Sequence, residues 1–142
     1  MRNIVLDTNC LLMCLASKSE FHIVWNAFLN EQYRLYVSNE IINEYEEILA
    51  KKISPAFAKN IIHVIINSEN VVLIHPTFRF NLLSIDPDDN KFIDCAIVEN
   101  ADYIVSQDKH FDVLKKIDFP KVSVIRVEEF AELLSINELF NP

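Results

Sequence analysis

Ile4-Val5-Leu6-Asp7-Thr8-Asn9 decides how the chain reads. A short apolar run rich in β-branched residues reads as a buried strand over residues 3–7. The strand closes on a carboxylate, and Thr8 and Asn9 turn the chain into a helix with Leu11, Leu12 and Leu15 on one side. The same order returns downstream, where Tyr103-Ile104-Val105-Ser106 is a strand and Asp108 follows it. Between them, Phe21, Val24, Trp25, Phe28 and Leu29 stand at helical spacing over 20–31, and Arg34 to Val37 is a strand. Ser38 stands where a helix N-cap belongs, ahead of a helix over 39–52. Pro55 opens a further helix carrying Phe57, Ile61, Ile62, Val64 and Ile65. Val71 to Ile74 is a strand, 75–88 is mostly loop, 90–100 and 109–116 are helices, Val122 to Ile125 a strand and 127–135 a last helix. Strands alternating with helices imply an α/β fold with a parallel sheet covered on both faces. Carboxylates at the carboxyl ends of such strands converge at one edge. Asp7 and Asp108 are expected there, and Asp102, which precedes its strand, at the opposite edge.

Length and composition set the bounds. A chain of 142 residues, 51% hydrophobic and 24% charged, fits a single soluble domain over 1–142, with its core at about 3–134 and a short tail. In the tail, Leu139 and Phe140 are placed to dock on the body or on a partner. No apolar run approaches the roughly 18 residues of a membrane span, and Met1-Arg2-Asn3 lacks a signal-peptide layout. The expected location is cytoplasmic, away from membranes. Cys10, Cys14 and Cys95 read as reduced core thiols, since a spacing of four on a helix is not a zinc knuckle. The net charge of −8 argues against gripping nucleic acid by bulk charge. It leaves a nuclease open, because carboxylates that hold metal are neutralised in the working site. The chain has no glycine. That excludes a phosphate-cradling P-loop, a dinucleotide fingerprint and a nucleophile elbow. Helices must end on other residues, with Asn100 suited to a left-handed cap.

The acids carry the chemistry. Two carboxylates about 4 Å apart repel by roughly 4 kcal/mol at an effective dielectric near 20. A divalent cation relieves that repulsion, and oxygen ligands suit magnesium or manganese. Asp7 reads either as such a ligand or as a plain helix cap. In helix 39–52, Glu44 and Glu46 lie on opposite borders of the apolar face at about 100° per residue, and spacing leaves them tied. Glu40 and Glu47 point to solvent. Asp89 projects in line with Phe92, Ile93 and Ala96, whereas Asp94 stands about 140° further around the helix.

These segments together resemble the motifs of PIN-domain nucleases, in the bacterial and archaeal VapC-like toxin branch. Val5-Leu6-Asp7-Thr8-Asn9 is similar to the first motif and Ser38-Asn39-Glu40-Ile41-Ile42-Asn43-Glu44-Tyr45 to the second. Asp86-Pro87-Asp88-Asp89-Asn90-Lys91-Phe92-Ile93-Asp94-Cys95-Ala96 resembles the third, and Ala101 through Phe111 the fourth. The resemblance implies a Rossmann-like sheet of order 3-2-1-4-5 and a magnesium- or manganese-dependent ribonuclease. It assigns the catalytic and metal-binding positions to Asp7, Glu44, Asp89 and Asp108, which breaks the tie at Glu44. Asn9, Asp94 and Ser106 fall in supporting positions behind those ligands. Gln107 departs from the small residue, often glycine, found before the last aspartate in this branch.

Metal-activated water attacking in line, with 5′-phosphate and 3′-hydroxyl products, is the reaction the resemblance implies. RNA is then the substrate, and a protein antitoxin and a second copy of the chain are the implied partners. Lys91, Lys109 and His110 flank the acidic motifs, as phosphate contacts or as ordinary surface residues. Two other readings compete. A phosphatase of the haloacid-dehalogenase type needs a second aspartate where Asn9 stands. A non-catalytic binding module could keep the same acids and act through protein or RNA partners.

Overall fold

The computed structural model describes residues 1–83 and 87–140, with the side chains at 87 and 137–140 outside that description. Chain order runs β1 (Arg2–Leu6), α1 (Thr8–Leu15), α2 (His22–Leu29), β2 (Tyr33–Val37), α3 (Asn39–Lys52), α4 (Pro55–Ile66) and β3 (Val71–Leu73). A 3-10 turn (Pro87–Asp89) leads into α5 (Asn90–Val98) and β4 (Tyr103–Val105). A 3-10 segment (Lys109–Lys116), β5 (Val124–Ile125) and α6 (Val127–Phe140) complete it. The sheet has the order β3-β2-β1-β4-β5. Its four pairings are all parallel. Fold class and strand order are those implied by the motifs.

β1 is the central strand, and Ile4, Val5 and Leu6 are buried because helices cover both faces. Leu6 pairs in register with Val105, so the residues that follow each strand emerge side by side. The Asp7 N–H donates to the Val105 carbonyl at 3.0 Å, which carries the pairing one residue past β1. At the other edge Asp102 accepts the Asn3 N–H at 2.7 Å, as its position before β4 requires. Ser38 caps α3 by accepting the Ile41 N–H at 3.2 Å. Ser54 does the same for α4 through Phe57 at 3.1 Å, with Pro55 in the first turn.

The face of α1 differs from the leucine pattern. Cys10, Leu11 and Cys14 are buried, while Leu12 and Leu15 pack at the border of the core. All three cysteines are buried and unpaired. Desolvation pushes the thiols of Cys14 and Cys95 up to about 12 and raises Cys10 as well.

Two helices end in a left-handed residue without glycine. After α5, Asn100 at φ 50° is the expected cap; its N–H donates to Ile97 and that of Ala101 to Ala96. After α2, Glu31 at φ 57° takes the same role, with N–H groups of Glu31 and Gln32 donating to Phe28 and Ala27. Both are Schellman closures, which satisfy the last carbonyls of a helix. Nothing in the sequence marks Glu31, since its side chain has no left-handed preference.

Three segments depart from their expected form. Residues 109–116 are 3-10 rather than α-helical, β5 is shortened to Val124–Ile125, and α6 continues through Phe140. The docking reading of Leu139 and Phe140 falls on side chains outside the described residues, as does Asp86 of the third motif. Among the described residues, no helix is long and apolar enough to cross a membrane.

Asp94 is buried at 2% exposure and accepts the Phe80 N–H at 3.0 Å, fastening the loop after β3 onto α5. Burial raises its pKa, partly opposed by that hydrogen bond. Asp94→Asn keeps an acceptor for Phe80 and removes a buried charge, so its urea midpoint should match or exceed the parent value. Asp94→Ala leaves the N–H without an acceptor and should cost about 1–3 kcal/mol. Equal loss in both variants would contradict this role.

Candidate active site

The carboxyl ends of β1 and β4, the middle of α3 and the start of α5 surround a cleft of about 230 Å³. Asp7, Glu44, Asp89 and Asp108 line it, joined by Thr8, Asn9, Ile48 and Lys52. The four acids singled out in the sequence therefore meet, although 101 positions separate the first from the last (108 − 7). Glu46 does not line the cleft, so the tie with Glu44 is resolved by packing. The anchor is Tyr45, whose hydroxyl donates to the Leu6 carbonyl and ties α3 to the end of β1.

Asp7 is only 5% exposed. It occupies the N-cap position of α1, but its side chain makes no capping hydrogen bond. Instead Oδ2 accepts the Ser106 hydroxyl at 2.7 Å. Burial raises the Asp7 pKa; Ser106 and the nearby Asn9 N–H pull it down, and the charges of Glu44 and Asp108 add to the rise. Ser106 is fully buried and also accepts the Asp108 N–H at 3.0 Å. One hydroxyl thus orients Asp7 and holds the turn that carries Asp108. Asp108 Oδ1 accepts the His110 N–H at 2.9 Å and lies 3.5 Å from His110 Nδ1.

Glu44 is engaged at both oxygens. Thr8 Oγ1 donates to Oε2, and Lys91 Nζ lies 2.7 Å from Oε1. Lys91 also donates to the Asp88 carbonyl at 2.7 Å and sits 5.6 Å from the Phe92 ring centroid. Lys91 is therefore a fixed part of the site and not a solvated side chain. Lys52 is a residue that sequence reading missed. Glu44, Ile48 and Lys52 recur every four residues on one face of α3, a spacing that could have found it.

Asn9 lines the cleft and is exposed, whereas Asp94 points to the loop after β3 and does not line it. Gln107 explains its departure from a small residue. Its Oε1 accepts the Val127 N–H at 2.9 Å and its Nε2 donates to Glu128 at 2.9 Å, so it closes the first turn of α6. Gln107 is not among the described positive-φ residues, so the turn has no need of glycine. Of the other histidines, His22 Nδ1 is hydrogen-bonded to the Cys14 carbonyl at 2.9 Å, while His63 and His75 are exposed.

One ligand atom each from Asp89, Asp108 and His110 lie within 4.8 Å of one another. The charges acting on Asp7 from Glu44 and Asp108 are both negative. An oxygen-rich donor set with unbalanced negative charge fits a divalent cation.

A parallel sheet of this order, flanked by helices, is the PIN-type fold, and the chain belongs to the PIN-domain family, whose model matches residues 3–110. The solved structures similar to it include VapBC2 from Rickettsia felis bound to a DNA fragment from their promoter. That chain superposes with a TM-score of 0.61 at 17% identity, over 87% of this chain and 98% of that one. DNA-bound VapBC from Salmonella typhimurium gives 0.61 at 16% identity, over 89% and 99%. VapC20 from Mycobacterium tuberculosis, a sarcin-ricin-loop-cleaving toxin, gives 0.57 at 15% identity, over 77% and 92%. At these identities the likeness concerns the fold. No protein of curated function matches the chain in sequence.

Proposed function

We propose that this protein is a magnesium- or manganese-dependent endoribonuclease and the toxin of a toxin–antitoxin pair. The observation that carries the reading is the meeting of Asp7, Glu44, Asp89 and Asp108 in one cleft of a PIN-family chain. The similarity to VapC20, described as cleaving the sarcin-ricin loop, favours RNA as substrate, and the VapBC structures favour an antitoxin partner. A bound divalent ion would supply a Lewis acid that lowers the pKa of a water and offsets charge on the scissile phosphate.

The chain's own residues do the rest. Asp89 and Asp108 present carboxylates from two different segments to the same point. Asp7, held by Ser106, adds a buried negative charge behind them. Glu44 holds Lys91 in the adjoining groove, and Lys52 in the cleft offers an ammonium group to the phosphates of an RNA strand. Such cations offset the repulsion an acidic cleft exerts on a polyanion. In-line attack then leaves a 5′-phosphate and a 3′-hydroxyl. A second copy of the chain is a further expected partner, and the cytoplasm the expected location.

The test is cleavage of defined RNAs by purified protein with magnesium or manganese. Cleavage should stop on chelation, return when either ion is restored, and yield 5′-phosphorylated ends. Cleavage that persists unchanged in excess chelator overturns the reading.

A further inference from the structure

The strongest unassigned feature is the imidazole that stands with two of the cleft acids. Glu44 already has one oxygen on Thr8 and the other on Lys91, and Asp7 is buried against Ser106. Asp89 and Asp108 are partly exposed, and among the described residues His110 groups with them as a third candidate ligand. The ligand atoms of the three lie within 4.8 Å of one another, with His110 Nδ1 at 3.5 Å from Asp108 Oδ1. On an octahedral ion with bonds near 2.1 Å, neighbouring donors stand about 3 Å apart and opposite donors about 4.2 Å. A pair at the 4.8 Å limit therefore closes by about 0.6 Å to stand opposite on one ion and by about 1.8 Å to stand adjacent.

The backbone brings the imidazole there. The Asp108 N–H is fixed to Ser106 at the end of β4, and the His110 N–H is fixed to the Asp108 carboxylate. Asp89 arrives independently from the start of α5. The contact of His110 with Asp108 is local along the chain, but convergence with Asp89 is not.

We propose that His110 supplies a nitrogen ligand to the metal beside Asp89 and Asp108, and so biases this site toward manganese over magnesium. The proposal rests on the metal-dependent reading above and deepens it. Magnesium favours an all-oxygen shell and gives up its waters reluctantly, whereas imidazole suits first-row transition ions. A mixed set of two carboxylates and one imidazole shifts the balance accordingly.

The test is direct binding, with no need of turnover. The full chain is loaded with Mn²⁺, and electron-spin-echo modulation reports whether a ¹⁴N nucleus is bound to the ion. Calorimetry gives the Mn²⁺ and Mg²⁺ affinities of the parent and of His110→Ala. The parent should show ¹⁴N modulation and the variant none. The variant should lose about tenfold or more in Mn²⁺ affinity, with a clearly smaller change for Mg²⁺. The His110 side chain is 45% exposed, so its truncation spares the core, and an unchanged thermal melt confirms that the variant folds. His110→Gln, which restores a polar side chain without a ring nitrogen, should behave like the alanine variant. Bound Mn²⁺ without nitrogen modulation overturns the proposal and leaves an all-carboxylate site standing, and modulation that survives in His110→Ala overturns it by placing some other nitrogen on the ion. Failure of both ions to bind overturns the metal-dependent reading itself, and this proposal with it.

Discussion

Asp7→Asn will reduce RNA cleavage by about 10²- to 10³-fold, the range seen when one preorganised electrostatic group leaves a site. The metal-free protein will meanwhile keep or gain stability. Both effects come from one cause. Asp7 is buried, and desolvation raises its pKa above the ordinary 3.8. Between 3.8 and that raised value the folded state binds more protons than the unfolded state. Stability supplied by this group therefore falls as pH rises through the window, and at neutral pH the ionised carboxylate is a net cost. Asparagine has nearly the same shape, can still accept from Ser106, and carries no charge. A cation is what makes the ionised form worth keeping, so parent protein should gain thermal stability on adding Mn²⁺ while Asp7→Asn gains much less. Thermal melts with and without Mn²⁺, run beside a cleavage assay, check both halves. Undiminished metal-dependent cleavage by the variant would sink the assignment of Asp7.

Ser106→Ala carries the second large effect. The Ser106 hydroxyl is fully buried, donates to Asp7 and accepts from the Asp108 N–H. Alanine leaves a buried carboxylate oxygen and a backbone N–H without their partner, at a cost of about 1–3 kcal/mol in unfolding free energy. It also frees the two acids that the hydroxyl orients, and metal affinity should fall about 10- to 100-fold, as when a group supporting metal ligands is lost. Urea denaturation measures the first and calorimetry with Mn²⁺ the second. Ser106→Thr, which retains the hydroxyl, should keep most of the affinity. Loss of stability with affinity unchanged in Ser106→Ala would show that the residue serves packing alone.

Much of the frame is legible before any coordinates. Ile4-Val5-Leu6 and Ile104-Val105 announce buried parallel strands, and an acid beyond each reaches the same edge because parallel strands share a direction. Ser54, the cap before Pro55, is seen only in the structure, whereas Ser38 marks a helix start by a local hydrogen bond and Pro55 by its fixed φ, which is why both are found. Asn100 is found for the same reason, and Glu31 is not, because its left-handed turn is imposed by the closure of α2 and not by its side chain.

By itself, then, the sequence determined the α/β class, the strand ends that carry Asp7 and Asp108, and through its motifs the strand order and the named acids. Tertiary structure supplied the packing that puts Glu44 rather than Glu46 in the cleft, and it alone decided that Lys91 is held against Glu44, that Lys52 joins them, and that one buried hydroxyl serves both Asp7 and Asp108. The division has a physical reason. Strand and helix periodicity, caps and turns are set by interactions within a few residues, so they are written in local pattern. Which border of α3 faces the cleft depends on where the Tyr45 hydroxyl meets the Leu6 carbonyl, 39 positions away, and that contact exists only once the sheet has formed.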